Sequence, residues 1–310
     1  MSTLTMNDGF SGELPVDRST TVTTSTEVPT AKEMTMEQTT TVKAVDAGPS
    51  FTEMLATMGR AVLPPLLGLL LLIGVWYVAT LNGGAIPGPS VVWDAALNLF
   101  ADPFYDNGPN DQGIGWNVLA SLERVGIGFG LAALVGIPMG FMIGRFAFLA
   151  NMVNPIISLL RPVSPLAWLP IGLLVFQRAD PAATWTIFIC SIWPMIMNTA
   201  QGVQRVPQDY LNVARVLDLS EWKIVTKILF PAVLPYMLTG IRLSIGTAWL
   251  VIVAAEMLTG GVGIGFWVWD EWNNLKVEHI IIAIFIIGIV GLILEQALIL
   301  LAKKLTKEAS

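Results

Sequence analysis

Residues 61–81 form one apolar run without a charged side chain. Roughly twenty such residues are what a helix needs to cross a hydrocarbon core about 30 Å thick. The run reads as a membrane span and constrains everything after it, because a chain inside lipid must satisfy its own backbone hydrogen bonds. Composition agrees. Of 310 residues, 54% are hydrophobic and 13% charged, and the mean hydropathy is +0.67, outside the balance of a soluble domain. The formal net charge of −6 says little about partners, since a membrane protein sorts its charges by side.

The apolar pattern predicts about six spans. The first is followed by a connection holding Asp94, Asp102, Asp106 and Asp111 but no Lys or Arg, while Arg60 precedes it. The positive-inside rule then puts the N-terminus in the cytoplasm. A second span, 117–144, carries Gly126, Gly128, Gly130, Gly136, Gly140 and Gly144 at spacings that let helix backbones approach closely. Residues 148–160 are expected along the cytoplasmic interface, and 162–176 as a short span anchored by Arg161. Further spans follow at 182–200, 232–258 and 280–302, the last returning to Lys303, Lys304 and Lys307, so both termini fall inside. Residues 1–50, rich in Thr, Ser and Glu, predict a disordered cytoplasmic tail rather than a secretory signal, which leaves 51–310 as the membrane domain.

Chemistry is bounded just as tightly. The single cysteine, Cys190, excludes an internal disulfide framework and reads as a small apolar packing residue. The single histidine, His279, reads as an interfacial residue where the last span begins. No catalytic residue, metal site, cofactor or nucleic-acid partner is expected. "GGVGIGF" at 260–266 follows a membrane helix rather than a strand, which argues against a dinucleotide loop, and no Walker A pattern occurs. Any ATP hydrolysis falls to a partner. Ionisable residues inside spans are costly and invite a functional reading. Arg242 either pairs within the bundle or faces a path, and Glu256 either lines that path or reaches the outer interface. Trp168, Trp193 and Trp249 could pack between helices or line the same path. The tryptophans of "FWVWDEW" suit an outer aromatic belt.

One polar stretch interrupts the spans: "QDYLNVARVLDLSEWKIVTKILFPAVLP", residues 208–235. Tyr210, Val213, Ala214 and Leu217 recur on one helical face, with Gln208, Asn212 and Arg215 on the other. A second helix is expected after Asp218, whose spacing to Glu221 is that of a capping box, with its end at Pro231.

This stretch resembles the cytoplasmic "EAA" loop of ABC importer permeases. Asn212, Val213 and Ala214 stand for the triplet and Leu234, Pro235 for its end, while Asn212 replaces the acidic residue and Asp218 the glycine. Asp tolerates a left-handed turn better than most residues. "LRPVSPLAWLPIGLLVF", "IWPMIMNTAQGVQRVPQDYLNVARVL" and "AWLVIVAAEMLTGGVGIGFWVWD" closely resemble nitrate transporter permeases of the nitrate, sulfonate and taurine group, over 61–302. Bicarbonate permeases share nearly the same blocks.

The resemblance implies an all-α, type I ABC importer transmembrane domain in the bacterial cytoplasmic (inner) membrane. It implies two permease copies in lipid, ATP-binding cassette subunits, an extracytoplasmic binding protein and a small inorganic anion as cargo. Nitrate, with nitrite, is the expected cargo, bicarbonate or an alkylsulfonate the alternative. Coupling to the ATPase would fall to Asp209, Tyr210, Asn212, Val213, Ala214, Arg215 and Asp218. The candidate anion path would hold Arg242, Trp168, Trp193, Trp249 and Glu256. An autonomous channel or secondary transporter would not need such a loop.

Overall fold

The computed structural model describes residues 51–108 and 111–309, so the expected tail at 1–50 lies outside the described residues. Two compact units divide between Val62 and Leu63. The first contributes only the opening turns of helix α1, Phe51–Thr80. In the second, α1 is followed by α2, Pro89–Ala101, and a small antiparallel hairpin of β1, Asp106–Gly108, with β2, Asp111–Gln112. Then come α3, Ile114–Arg145, α4, Ala147–Leu160, α5, Pro165–Phe176, and α6, Ala179–Gln204. The polar stretch supplies α7, Gln208–Val216, and α8, Glu221–Ile224. The chain ends in α9, Phe230–Thr259, α10, Ile264–Asn273, and α11, Val277–Ala309.

Helix α6 packs against both α3 and α9, and missing side chains set how closely. A Cβ on Gly128 would stand 2.8 Å from Ile187 Cβ, and one on Gly140 or Gly144 2.6 Å from Thr199 Cβ or Val203 Cβ. Gly126 and Gly130, expected to serve the same packing, face open space instead. At 3.6 residues per turn, Gly128, Gly136, Gly140 and Gly144 follow one stripe along the helix, while Gly126 and Gly130, each two residues from Gly128, fall on the opposite side from it. Toward α9, Gly202 meets Val233 and Tyr236, and the Ser244 hydroxyl donates to Ser191 O at 2.6 Å.

Among the described residues, four helical stretches are long and apolar enough to cross a membrane: 62–80, 114–145, 221–259 and 277–304. The α4–α5 pair, bent by 100°, makes a fifth if it counts as one span. The break falls at "RPVSP", where prolines disfavour helical geometry in the residues before them. Against the expected six or so, that makes four or five by length and apolarity alone, because α6, the expected fourth span, is long enough at 26 residues but more polar than the others. Its Thr186, Ser191 and Thr199 are fully buried, and a helix enclosed by protein need not be apolar all round.

Two further expectations change. The helix starting at Glu221 does not end at Pro231 but runs unbroken to Thr259, 39 residues in all. A π-type turn at Val225–Leu229 lies just before the proline. Proline lacks an N–H and its ring crowds the carbonyl four residues back, a conflict a wider turn relieves. The tryptophans expected in an aromatic belt divide between core and surface. Trp267 of α10 is buried and stacks on His279 at 5.8 Å, whereas Trp269 and Trp272 are exposed and fit the aromatic belt. His279 Nδ1 also lies 3.0 Å from Glu271 Oε2.

Candidate functional site

Helix α7 is short, with Asp209 in its first turn and Arg215 in its last, each favourable to the helix dipole. It closes in a Schellman arrangement: Leu219 N–H donates to Ala214 O and Asp218 N–H to Arg215 O, both at 3.0 Å. Asp218 takes φ +49°, the left-handed turn expected at that position. The expected capping box does not form. Ser220 occupies the N-cap position of α8, with no side-chain cap bond.

The buried face of α7 also differs from expectation. Leu211 and Ala214, about 60° apart around the helix, pack into a core cluster with Val203, Val206, Leu229 and Val233. Tyr210, Val213, Val216 and Leu217 are exposed, as are Asp209, Asn212 and Arg215. The apolar arc is wider than the surface that α6 and α9 can cover. What remains is an apolar strip flanked by charge on the end of the molecule where α6 stops and the 221–259 helix starts.

Arg242 and Glu295 face each other from α9 and α11, Arg242 Nε donating to Glu295 Oε1 at 2.8 Å while Nη2 makes a second bond to the same oxygen. They line a cleft of about 710 Å³ that also includes Trp249, Thr239, Thr247 and Gly291. Trp249 is nearly buried, and its Nε1 donates to Ile287 O at 2.9 Å. The other candidate path residues are not gathered here. Trp168 packs against the core cluster built on Ile187, Ile252 and Ile264, and Trp193 against another around Met195 and Ile196. Cys190 is buried in the first of these clusters.

Glu256 does not reach the outer interface; its side chain is only 2% exposed. Arg124 Nη1 of α3 donates to Glu256 Oε1 at 2.6 Å, the Ser121 hydroxyl to Oε2 at 2.8 Å and Gly265 N–H to Oε2 at 3.0 Å. Arg124 also donates to Val262 O at 2.7 Å and to Asp180 at the start of α6. Gly263 N–H reaches Asn117 Oδ1 at 2.9 Å. The glycine-rich "GGVGIG" segment is thus strapped onto α3. A Cβ at Gly263 would collide with the Glu256 carboxylate, which is why that position is bare. Sequence reasoning missed Arg124 and Glu295. The rule that drew attention to Arg242, an ionisable residue inside a span, applies equally to both.

Residues 136–307 match the family described as "Binding-protein-dependent transport system inner membrane component". The nitrate import permease protein NrtB of Synechocystis sp. is 48% identical over 236 residues, 76% of this chain and 86% of that protein. The bicarbonate transport system permease protein CmpB of the same organism is 46% identical over 246 residues, 78% of this chain and 88% of that protein. Among solved structures, the methionine ABC transporter MetNI in an inward-facing crystal form aligns with a TM-score of 0.52 at 14% identity, covering 63% of this chain and 94% of that one. At that identity the likeness speaks for the fold alone, an all-α transmembrane domain of the type I ABC importer kind. With more than half its length inside the family match and relatives near half identity along most of theirs, the chain belongs to the inner membrane components of binding-protein-dependent transport systems.

Proposed function

We propose that this chain is the permease subunit of an ATP-driven importer for nitrate, with nitrite as a second cargo. The observation that carries the reading is the 48% identity to a nitrate import permease along 86% of its length. Bicarbonate is the second reading, favoured by the 46% identity to a bicarbonate permease.

In this reading two copies sit in the bacterial inner membrane, each with both termini in the cytoplasm. Arg145, Arg205, Arg215, Lys223 and Lys227 cluster where α3 and α6 end and the 221–259 helix begins, as the positive-inside rule asks of a cytoplasmic end. Residues 51–310 form the transport domain, and ATP is hydrolysed by partner subunits. Each α7 docks on one of them through Tyr210, Val213, Val216 and Leu217, rimmed by Asp209, Asn212 and Arg215, while Leu211 and Ala214 hold it to the membrane helices. Because α8, the π turn and α9 are one helix, joined to α7 by the tight turn at 217–220, a shift of α7 is passed into the membrane through that turn alone. Closure of the ATPases then rocks the spans between inward and outward openings, and a binding protein delivers the anion from outside.

A small anion leaving water needs donors or a positive charge, and Arg242, with Trp249 beside it, is placed to offer one. The test is labelled-nitrate uptake by reconstituted complexes containing the ATPase, with bicarbonate as competitor. Nitrate uptake is expected, reduced in Arg242→Gln with the complex intact. Bicarbonate uptake without nitrate uptake would overturn the cargo, and unchanged uptake in Arg242→Gln would return Arg242 to a structural role.

A further inference from the structure

The Arg242–Glu295 pair is unusual for where it lies. Its side chains are 53% and 38% exposed, on helices that cross the membrane. A charged group near a bilayer centre is costly, so this face is unsuited to lipid contact and fits a water-lined route or a protein neighbour. The cleft it opens on exists because side chains are missing. A Cβ on Gly246 or Gly288 would meet nothing within 4 Å, and one on Gly291 would touch the Trp249 ring at 3.2 Å.

Among the described lining residues, Arg242 is the one cation and Glu295 the one anion. Neighbouring donors are already engaged: Thr239 Oγ1 bonds to Pro235 O, Thr247 Oγ1 to Leu243 O and Trp249 Nε1 to Ile287 O. Any anion entering the cleft therefore meets a guanidinium that already has a carboxylate on it.

We propose that Glu295 is the resident counter-charge of Arg242, which a passing monovalent anion displaces and which then expels that anion. The inference rests on the reading that the α9–α11 cleft lies on the anion route. With no cargo present, Glu295 neutralises the guanidinium and lowers the cost of a charge in this setting. When the anion arrives, it exchanges with one carboxylate contact rather than finding a bare cation. The nearby negative charge keeps its hold weak, as transport requires of an ion that must also leave. Selectivity at this step is for small monovalent anions, because an anion with a bulky or second charged group would have to meet Glu295 at close range.

The test uses the assembled complex of permease and ATPase without the binding protein, titrated with sodium nitrate in a calorimeter, together with uptake by the full reconstituted system. Glu295→Gln is expected to tighten nitrate binding by about ten-fold and to lower the maximal uptake rate. Adding Arg242→Gln to it should abolish the gain in binding, which a pair that only joins two helices would never show. Should Glu295→Gln fail to assemble, Glu295→Asp, with the carboxylate drawn back by one methylene, is expected to shift both readouts the same way by less.

Gly246→Leu separates the two layers of the reading, because its Cβ has open space within 4 Å and the rest of the side chain extends into the cleft. It should stop uptake in an intact complex. Normal uptake in Gly246→Leu would remove the cleft from the route and overturn the counter-charge with it. Blocked uptake there, with unchanged nitrate binding in Glu295→Gln, would overturn the counter-charge alone and leave the route standing.

Discussion

Arg124 and Glu256 are 132 positions apart in the chain and meet at 2.6 Å, with side chains 15% and 2% exposed. Through this contact α3 holds the end of α9, the glycine-rich turn after it and the first turn of α6. Removing one partner of a buried ion pair leaves the other charge uncompensated. Glu256→Ala should therefore destabilise the protein by about 3–5 kcal/mol. The checks are yield and thermal unfolding of the detergent-solubilised chain; a variant as stable as the native chain would show that the contact contributes nothing.

The α3–α6 seam gives a matched pair of substitutions. Gly140→Ala drives a methyl group toward Thr199 and should cost about 1–3 kcal/mol through overpacking. Gly130→Ala meets nothing within 4 Å and should be neutral or stabilising by up to about 1 kcal/mol from helix propensity. Thermal unfolding of the two side by side decides it, and equal effects would contradict the packing described.

In α7, the helix proposed to dock on the ATPase, Ala214→Arg places a long cation where the native side chain is fully buried. Uptake should be lost while the permease still reaches the membrane, and uptake matching the native protein at equal expression would refute the buried placement. Val213→Asp, on the exposed strip, should leave permease stability unchanged and weaken copurification with the ATPase subunits. Undiminished copurification would remove Val213 from the docking face.

Asp218 sits at φ +49°. Asp218→Gly should be neutral or slightly stabilising, whereas Asp218→Val should cost about 1 kcal/mol or more, since a β-branched residue resists that conformation. Thermal stability of the two variants, compared with ATPase copurification, tests whether the turn also sets the pose of α7.

How much of this was legible in the sequence follows the range over which each signal acts. The apolar runs around α1, α3 and α11 declare themselves because crossing lipid is a local requirement. The left-handed turn at Asp218 and the amphipathic α7 are equally local. The phase of α7 was not readable, because Val213 and Leu217 compete with Leu211 as apolar positions, and only the positions of α6 and α9 decide which edge is covered. Glu256 was noticed for its charge but misplaced, since its partner Arg124 lies on another helix. The central α6 reads as an ordinary span, and that its Thr186, Ser191 and Thr199 are fully buried among other helices is a circumstance no single segment announces. Placement of Arg242 was legible to within its helix, but Glu295 and the cleft between them were not.

The π-type turn at Val225–Leu229 holds one residue more than a regular helix of the same rise would need. Each residue advances the helix by about 100°, so everything from Phe230 to Thr259 is indexed to α7 like a cog set one tooth forward. Arg242 meets Glu295, and Gly240 nests against Pro194 and Asn198, only at that setting. Loss of a single residue from the turn would swing the guanidinium about a quarter of the way around its helix, away from α11. A length change of one, 13 or more positions from Arg242 and touching none of its neighbours, would thus rewrite which side chains look into the cleft.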